Sequence, residues 1–275
     1  MDYPQDLIGE LVENDKDERE ESLRVGLLLT LGIGILNACT YVTRGHVFAS
    51  SQSGNLLYLG LDLAKGEFGN VTKYLFPPLM FAAGIVIAEH YHDKPGYRQW
   101  RRIQFLIEIV LIIVATFLPD SWNALANPIF GLCCGLQTII FKRIRSNPMA
   151  TVVINSGFQN TFVHLTRYLQ KKDREDAFRA LLYFVLVISY FLGIVIGALL
   201  CPYLNHYVSL ISAGLLLICL FIALPAHLDS DEKSSDSSVD NPDKAGTAAS
   251  KPEKENGQNS KNNRSFKNED TVWKR

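Results

Sequence analysis

The sequence predicts an all-α integral membrane protein of about six transmembrane helices plus two polar re-entrant or broken segments, arranged as two repeats, with eight spans as the alternative. The first observation behind this is segregated charge. The runs 25–43, 74–88, 121–141 and 180–228 hold no Asp, Glu, Lys or Arg, and only Glu108 stands between Arg102 and Asp120. A water-soluble helix keeps a polar face, so these runs exclude a soluble globular domain, although the 275 residues are only 48 % hydrophobic. The second observation is a pair of uncharged but polar, glycine-bearing segments among the apolar runs. The third is a set of markers that recurs in the same order in both halves. The formal net charge of -1 removes any global electrostatic case for nucleic-acid binding.

Along the chain, residues 1–24 form an acidic N-terminal segment, with nine carboxylates against Lys16, Arg19 and Arg24. A secretory signal has the opposite order, a basic start and then an apolar run, so the first apolar run is expected to stay as a helix. Leu7, Ile8, Leu11 and Val12 share one helical face; the segment reads as a short amphipathic helix or as a frayed acidic tail. A membrane domain over 25–226 follows, with repeat one at about 25–119 and repeat two at about 122–226. A helix needs about 20 residues to cross the hydrocarbon. Six segments qualify: 25–43, 74–92, 103–119, 122–141, 180–202 and 206–225. Two more, 46–64 and 148–169, are ambiguous, because Ser50-Ser51-Gln52-Ser53-Gly54-Asn55 and Asn155-Ser156-Gly157-Phe158-Gln159-Asn160 interrupt them. Residues 227–275, rich in Ser, Asp, Asn and Lys, bury too little to offset their chain entropy and read as a disordered cytoplasmic tail.

Loop charge separates the two span counts. With six crossings, one side carries twelve Lys or Arg in 93–102 and 142–179, against Arg44, Lys65 and Lys73 on the other. With eight crossings the internal loops score seven against eight, which is no bias. The positive-inside rule therefore favours six crossings with both termini cytoplasmic; the organelle and the oligomeric state are not written in the sequence.

The repeat has four markers. Gly34-Ile35-Leu36-Asn37 aligns with Gly135-Leu136-Gln137-Thr138. Gln52-Ser53-Gly54-Asn55 aligns with Asn155-Ser156-Gly157-Phe158. Gly84-Ile85-Val86-Ile87-Ala88 aligns with Gly193-Ile194-Val195-Ile196-Gly197, and Phe117-Leu118-Pro119 with Ala223-Leu224-Pro225. Three crossings per half is an odd number, so the halves would be inverted in the membrane, as in many transporters. The two polar segments would then enter from opposite faces and meet near the midplane. Eight crossings would give parallel repeats instead.

These residues resemble the YoaK-like family of multi-pass membrane proteins carrying a domain of unknown function. The resemblance covers roughly 25–224. It rests on Gly34-Ile35-Leu36-Asn37-Ala38-Cys39-Thr40-Tyr41, Val47-Phe48-Ala49 and Ser53-Gly54-Asn55, and in the second half on Gly135-Leu136-Gln137 and Ala150-Thr151 through Ser156-Gly157. Asn37 stands where the family usually has an acid and Ser53 where it has Thr, which weakens any proton-coupling role at position 37. The resemblance implies topology and supplies no reaction or substrate.

The expected substrate-binding residues are Asn37, Ser53, Gly54, Asn55, Gln137, Asn155, Ser156 and Gly157. Glycine permits a turn or a close approach. Ser and Asn cap new helices, whose positive ends suit an anion or a polar solute. The competing reading is close helix packing through small residues, with amides and hydroxyls bonding between helices. Glu108 and His164 are the ionisable candidates. Glu108 is the only acid inside a confident span, and it either functions there or reaches back to the interface near Arg101 and Arg102. Gly84…Ala88, Gly131…Gly135 and Gly193…Gly197 read as helix contact faces, and the five cysteines as small apolar packing. No catalytic residue, metal site or cofactor is expected, and no enzyme. The expected partners are the lipid bilayer and a small polar solute or ion. The functional expectation is a transporter or channel; the alternative is a non-transporting membrane scaffold or assembly protein.

Overall fold

The structure, a computed structural model, describes residues 23–92, 97–140, 143–144, 147–148 and 154–223. The chain divides into the units Met1–Ala226 and His227–Arg275, and every described residue lies in the first. The acidic segment, except its last two residues, and the polar tail lie outside the described residues.

Eight α-helices appear among the described residues: α1 Leu23–Thr43, α2 Gln52–Lys65, α3 Val71–His92, α4 Tyr97–Phe117, α5 Asn123–Ile140, α6 Ile154–Lys171, α7 Arg174–Leu204 and α8 Ser209–Ala223. Two two-residue antiparallel strands, β1 Arg143–Ile144 and β2 Asn147–Pro148, lie between α5 and α6. The apolar runs became α1, α3, α4, α5, α7 and α8; the polar segments hold α2 and α6. Three helical stretches, Leu23–Thr43, Phe68–Tyr91 and Arg174–Ile222, are long and apolar enough to cross a membrane by length and composition. Large apolar side chains cover the outer faces of the bundle, among them Val86, Phe117, Leu199 and Phe221. A soluble monomer rarely presents so much contiguous apolar surface.

The helix boundaries follow local chemistry. Beyond α1, Gly45 (φ 84°) and His46 (φ 61°) adopt left-handed backbone, and the N–H groups of Arg44 and His46 close on the carbonyls of Thr40 and Tyr41. At the end of α2, Gly66 (φ 78°) does the same, donating to Asp62 and Leu63. The structure starts α7 at Arg174, well before the expected 180. Asp173 caps it, accepting the N–H of Glu175 at 3.1 Å, and Glu175 and Asp176 place negative charge at its positive end. Likewise α4 starts at Tyr97 rather than 103. Both extensions carry charges that a hydropathy count stops at.

Helices pair across the two halves. Gly34 in α1 faces Tyr190 and Gly193 in α7, and Gly197 faces Ile35 and Ala38, so residue numbers rise together and the two helices run parallel. In the same way Gly131 and Gly135 in α5 lie against Pro77 and Phe81 in α3, and Ala88 clusters with Leu136 and Ile139. The three small-residue pairs are therefore helix contact faces, as expected. Around these crossings α2 packs on α3 and α6 on α7, while α8 packs on α1 and α4 on α5. Exchanging the halves maps each of these contacts onto another, so the packing has internal symmetry. The core between α1, α4, α5 and α8 is built from Leu29, Ile33, Phe105, Ile112, Phe130 and Leu216 with their neighbours. All five cysteines are buried and free.

One end of the bundle is tied by Arg44, which is 1 % exposed. Its guanidinium donates to the carbonyls of Ala115 (3.0 Å), Thr116 (2.8 Å) and Leu118 (2.8 Å) at the end of α4, and to Asn123 Oδ1 (3.0 Å) at the start of α5. The Thr116 and Ser209 hydroxyls lie 2.6 Å apart. The C-terminal ends of α1 and α4 thus gather with the N-terminal ends of α5 and α8. At the other end Leu23, at the start of α1, packs on Leu182, Tyr183 and Leu186 of α7.

Candidate solute site

The chain between α1 and α2 turns back into the bundle beside the helix it has just left. Asn37 lies about 9 Å below the end of α1, at 1.5 Å per residue, and is 3 % exposed. Its Oδ1 accepts the N–H of Ser50 at 3.0 Å, and its Nδ2 donates to Ser50 Oγ at 2.6 Å and to Tyr190 Oη of α7 at 3.0 Å. One side chain thereby holds the non-helical limb and joins it to the other half of the protein. A second amide grips the same limb from α2. Asn55, fully buried, accepts the N–H of Phe48 at 2.9 Å and donates to the Phe48 carbonyl at 2.8 Å. Non-helical backbone at such a depth persists only where protein or a wet cavity satisfies it, and here two asparagines do so.

The aromatic side of the limb is closed. The Phe48 ring stacks on Tyr41 (centroids 5.0 Å apart) and lies 6.3 Å from Tyr58, which stacks on Tyr74. A Cβ at Gly54 would lie 2.7 Å from the Phe48 ring. Glycine here makes room for a phenyl group rather than for a solute. The amide groups of α2 are also largely engaged: the N–H groups of Gln52, Gly54 and Asn55 find the carbonyls of Ser50 and Ser51. The N-cap Ser51 makes no side-chain cap bond. This corrects the picture of a Ser- or Asn-capped helix end with its N–H groups directed outward, because Asn55 is spent on the limb behind it and Ser53 is exposed.

The second polar segment starts α6. Gly157 is buried, and Thr161 bonds back to its carbonyl at 2.9 Å; Asn155 is exposed and Ser156 is half-buried. The residues just before it, 149–153, lie outside the described residues. His164 is buried, its Nδ1 2.7 Å from Asp176 Oδ1 and its ring 5.8 Å from Tyr183, so it joins α6 to α7. On α2 the corresponding tie is Asp62, which accepts from Asn70 at 3.0 Å. The two polar segments pack on separate partners, α3 and α7. Asn37 and Tyr190 bridge the halves at the level of the first limb.

Gln137, one position before the residue set against Asn37 when the halves are aligned, is buried on α5. It lines a cavity between α1, α4, α5 and α8 with Gly32, Ile112, Cys133, Cys134 and Ser212, among others. The cavity is about the smallest that could admit a water, and its lining includes neither Gly54 nor Gly157. Glu108, also buried, has Gln104 beside it at 3.3 Å. This corrects the interfacial alternative for Glu108, since the helix starts six residues earlier than the hydropathy suggests and carries the acid to its middle. Among the described residues no three His, Cys, Asp or Glu side chains come together as a metal site.

Sequence reasoning missed Ser50, Tyr190, Phe48, Gln104 and the whole Arg44 cluster. Ser50 stood in the quoted polar run, but only the fold selects it over Ser51 and Ser53. Arg44 carried one signal, a lone cation directly after a long charge-free run, and was counted as a loop charge.

The family described as "Protein of unknown function (DUF1275)" matches residues 25–223. The UPF0700 transmembrane protein YoaK of Bacillus subtilis (strain 168) is 24 % identical over 190 residues, which cover 66 % of this chain and 84 % of that protein. No solved structure matches.

Proposed function

The chain belongs to the DUF1275 family of multi-pass membrane proteins, and from that premise we propose that it is a transporter or channel for a small polar solute or ion, using a site between its two halves. The observation that carries the reading is the clamp of Asn37 on Ser50 and Tyr190. A non-helical limb held inside a bundle by a few polar bonds is a part that can be withdrawn. Withdrawal would uncover Asn37, Tyr190 and the cavity at Gln137 as polar walls. Phe48, stacked between Tyr41 and Gly54, is the plug.

The topology that this mechanism needs is six crossings with inverted halves, and helix direction supports it. Because α1 and α4 end together, and because α3 runs parallel to α5 and begins at that same end, the reading has residues 44–70 leave and return on one face. The same argument applies to α6, between the far end of α5 and the start of α7. In an eight-crossing chain α1 and α4 would end on opposite faces. The loop charges agree with this reading and favour termini on the cytoplasmic side. Cysteines introduced at Lys65 and Lys171 test this: an impermeant thiol reagent applied to sealed membranes is expected to label one and not the other. Labelling of both, or of neither until the membrane is opened, overturns the six-crossing topology.

Transport is tested in proteoliposomes screened with inorganic anions and small polar metabolites. Wild-type protein is expected to move at least one solute, Phe48→Ala to raise passive flux several-fold, and Asn37→Leu to abolish the selective component. If no solute moves, and Asn37→Leu leaves the cellular phenotype intact, the reading falls.

A further inference from the structure

The acid on α4 is built as a site of its own. Glu108 lies about 16 Å from the start of α4 at 1.5 Å per residue, halfway along a 21-residue helix. It is 1 % exposed and turned into the bundle, where Cys133 donates to its backbone carbonyl at 3.9 Å. Transferring an ionised carboxylate into such surroundings without a counter-charge is costly. Among the described residues the neighbouring helices supply none. The sequences of α5 and α8 contain no Lys, Arg, His, Asp or Glu, and their titratable groups are Cys133, Cys134 and Cys219. Glu89, His90, Tyr91 and His92 belong to the far end of α3, where Tyr91 stacks on Trp100. On α4 itself Arg98, Arg101 and Arg102 lie toward the helix start, and Gln104 is the neighbour one turn away.

Gln104 makes the second observation. Its Nε2 donates to Glu108 Oε1 at 3.3 Å, while its Oε1 is buried and has no donor among the described residues. Half a turn of the amide brings Oε1 to the acid, and only a carboxylic O–H can then donate to it. The third is space: the cavity lined by Ile112, Cys133, Cys134, Gln137 and Ser212 begins one helical turn from Glu108 and is about the smallest that could admit a water.

We propose that Glu108 is a proton-binding site of the membrane domain, with Gln104 as its positioning residue and the cavity beside Gln137 as the chamber through which the proton exchanges. On release the carboxylic O–H bond breaks, the electron pair stays on the carboxylate and the proton passes to water in the cavity; uptake is the reverse. Coupling of this step to solute movement rests on the transport reading above, whereas proton binding itself does not.

The experiment is infrared difference spectroscopy of the full chain reconstituted in phosphatidylcholine vesicles and titrated from acid to alkaline pH. Wild type is expected to show a carboxylic-acid C=O band at neutral pH that disappears on alkalinisation. Glu108→Gln removes it, and Gln104→Leu shifts its frequency because the amide partner is gone. Identical spectra for wild type and Glu108→Gln at every pH overturn the proposal, and so does a band that never titrates. Should Glu108→Gln fail to yield a monodisperse protein, Glu108→Asp decides: a displaced, titrating band supports the site, and an unchanged band overturns it. If a transported solute is found, its flux should follow an imposed pH gradient in wild type and lose that dependence in Glu108→Gln. A protein that binds the proton but moves no solute refutes transport and leaves this site standing.

Discussion

Gly34→Val is expected to leave almost no folded protein. A Cβ at Gly34 would sit 2.2 Å from the carbonyl oxygen of Tyr190 and 3.0 Å from the Cα of Gly193. Backbone, not a side-chain tip, stands in the way, so α1 and α7 must separate along their length. Overpacking commonly costs 1–3 kcal/mol even where side chains give way; here the loss should be about 3 kcal/mol or more. Gly135→Val, with a Cβ 2.1 Å from the Phe81 carbonyl oxygen, should behave alike on the α3–α5 crossing. Gly34→Val and Gly193→Val together should cost less than their sum, because either one already breaks the shared contact. Gly214→Ala in α8, which meets nothing within 4 Å, is the control and should be neutral. The measurement is the monodisperse yield and melting temperature of detergent-solubilised protein; a wild-type melt for Gly34→Val would refute the crossing.

The second large effect is expected at Arg44. Its guanidinium accounts for two of the carbonyls that the end of α4 leaves without intrahelical partners and for that of Leu118 just beyond it, and it also holds Asn123. A cation there complements the negative end of the helix dipole. Arg44→Met strands those neutral acceptors in a buried place, and the loss should be about 3 kcal/mol or more, at roughly 1–3 kcal/mol for each buried group left without a donor. Arg44→Lys should recover only a fraction. A lysine ammonium lacks the planar fork that reaches α4 and α5 at once. Asp120→Asn is expected to matter little, since its carboxylate is largely exposed and stands 4.0 Å from the guanidinium. The same melting assay checks all three, and a stable Arg44→Met would show that the cluster is incidental.

Much of the architecture was legible because hydropathy reports burial in lipid or core, and burial defines these helices. Ala180 through Leu204 could be little else. The glycine pairs were legible too, as small residues one turn apart on apolar helices signal close crossings. What hydropathy cannot report is partner identity. Asn37 and Gln137 stood out as amides in apolar surroundings, but nothing local says that Asn37 reaches Ser50 and Tyr190 while Gln137 faces a cavity. Gly54 misled for a related reason: a glycine says that something approaches closely, not whether that something is Phe48 or a solute. The depth of Glu108 is not legible locally, because Arg98, Arg101 and Arg102 look like a loop, yet α4 runs through them.

The parallel pairing of α1 with α7 has a consequence for biogenesis. A ribosome delivers α1 long before α7 exists, so the glycine face around Gly34 must wait, lipid-bathed or shielded by an insertase, while every intervening helix is made. The same delay, shorter, applies to α3 awaiting α5. Neither half can therefore mature alone, and truncation between them leaves two orphans rather than a smaller working unit.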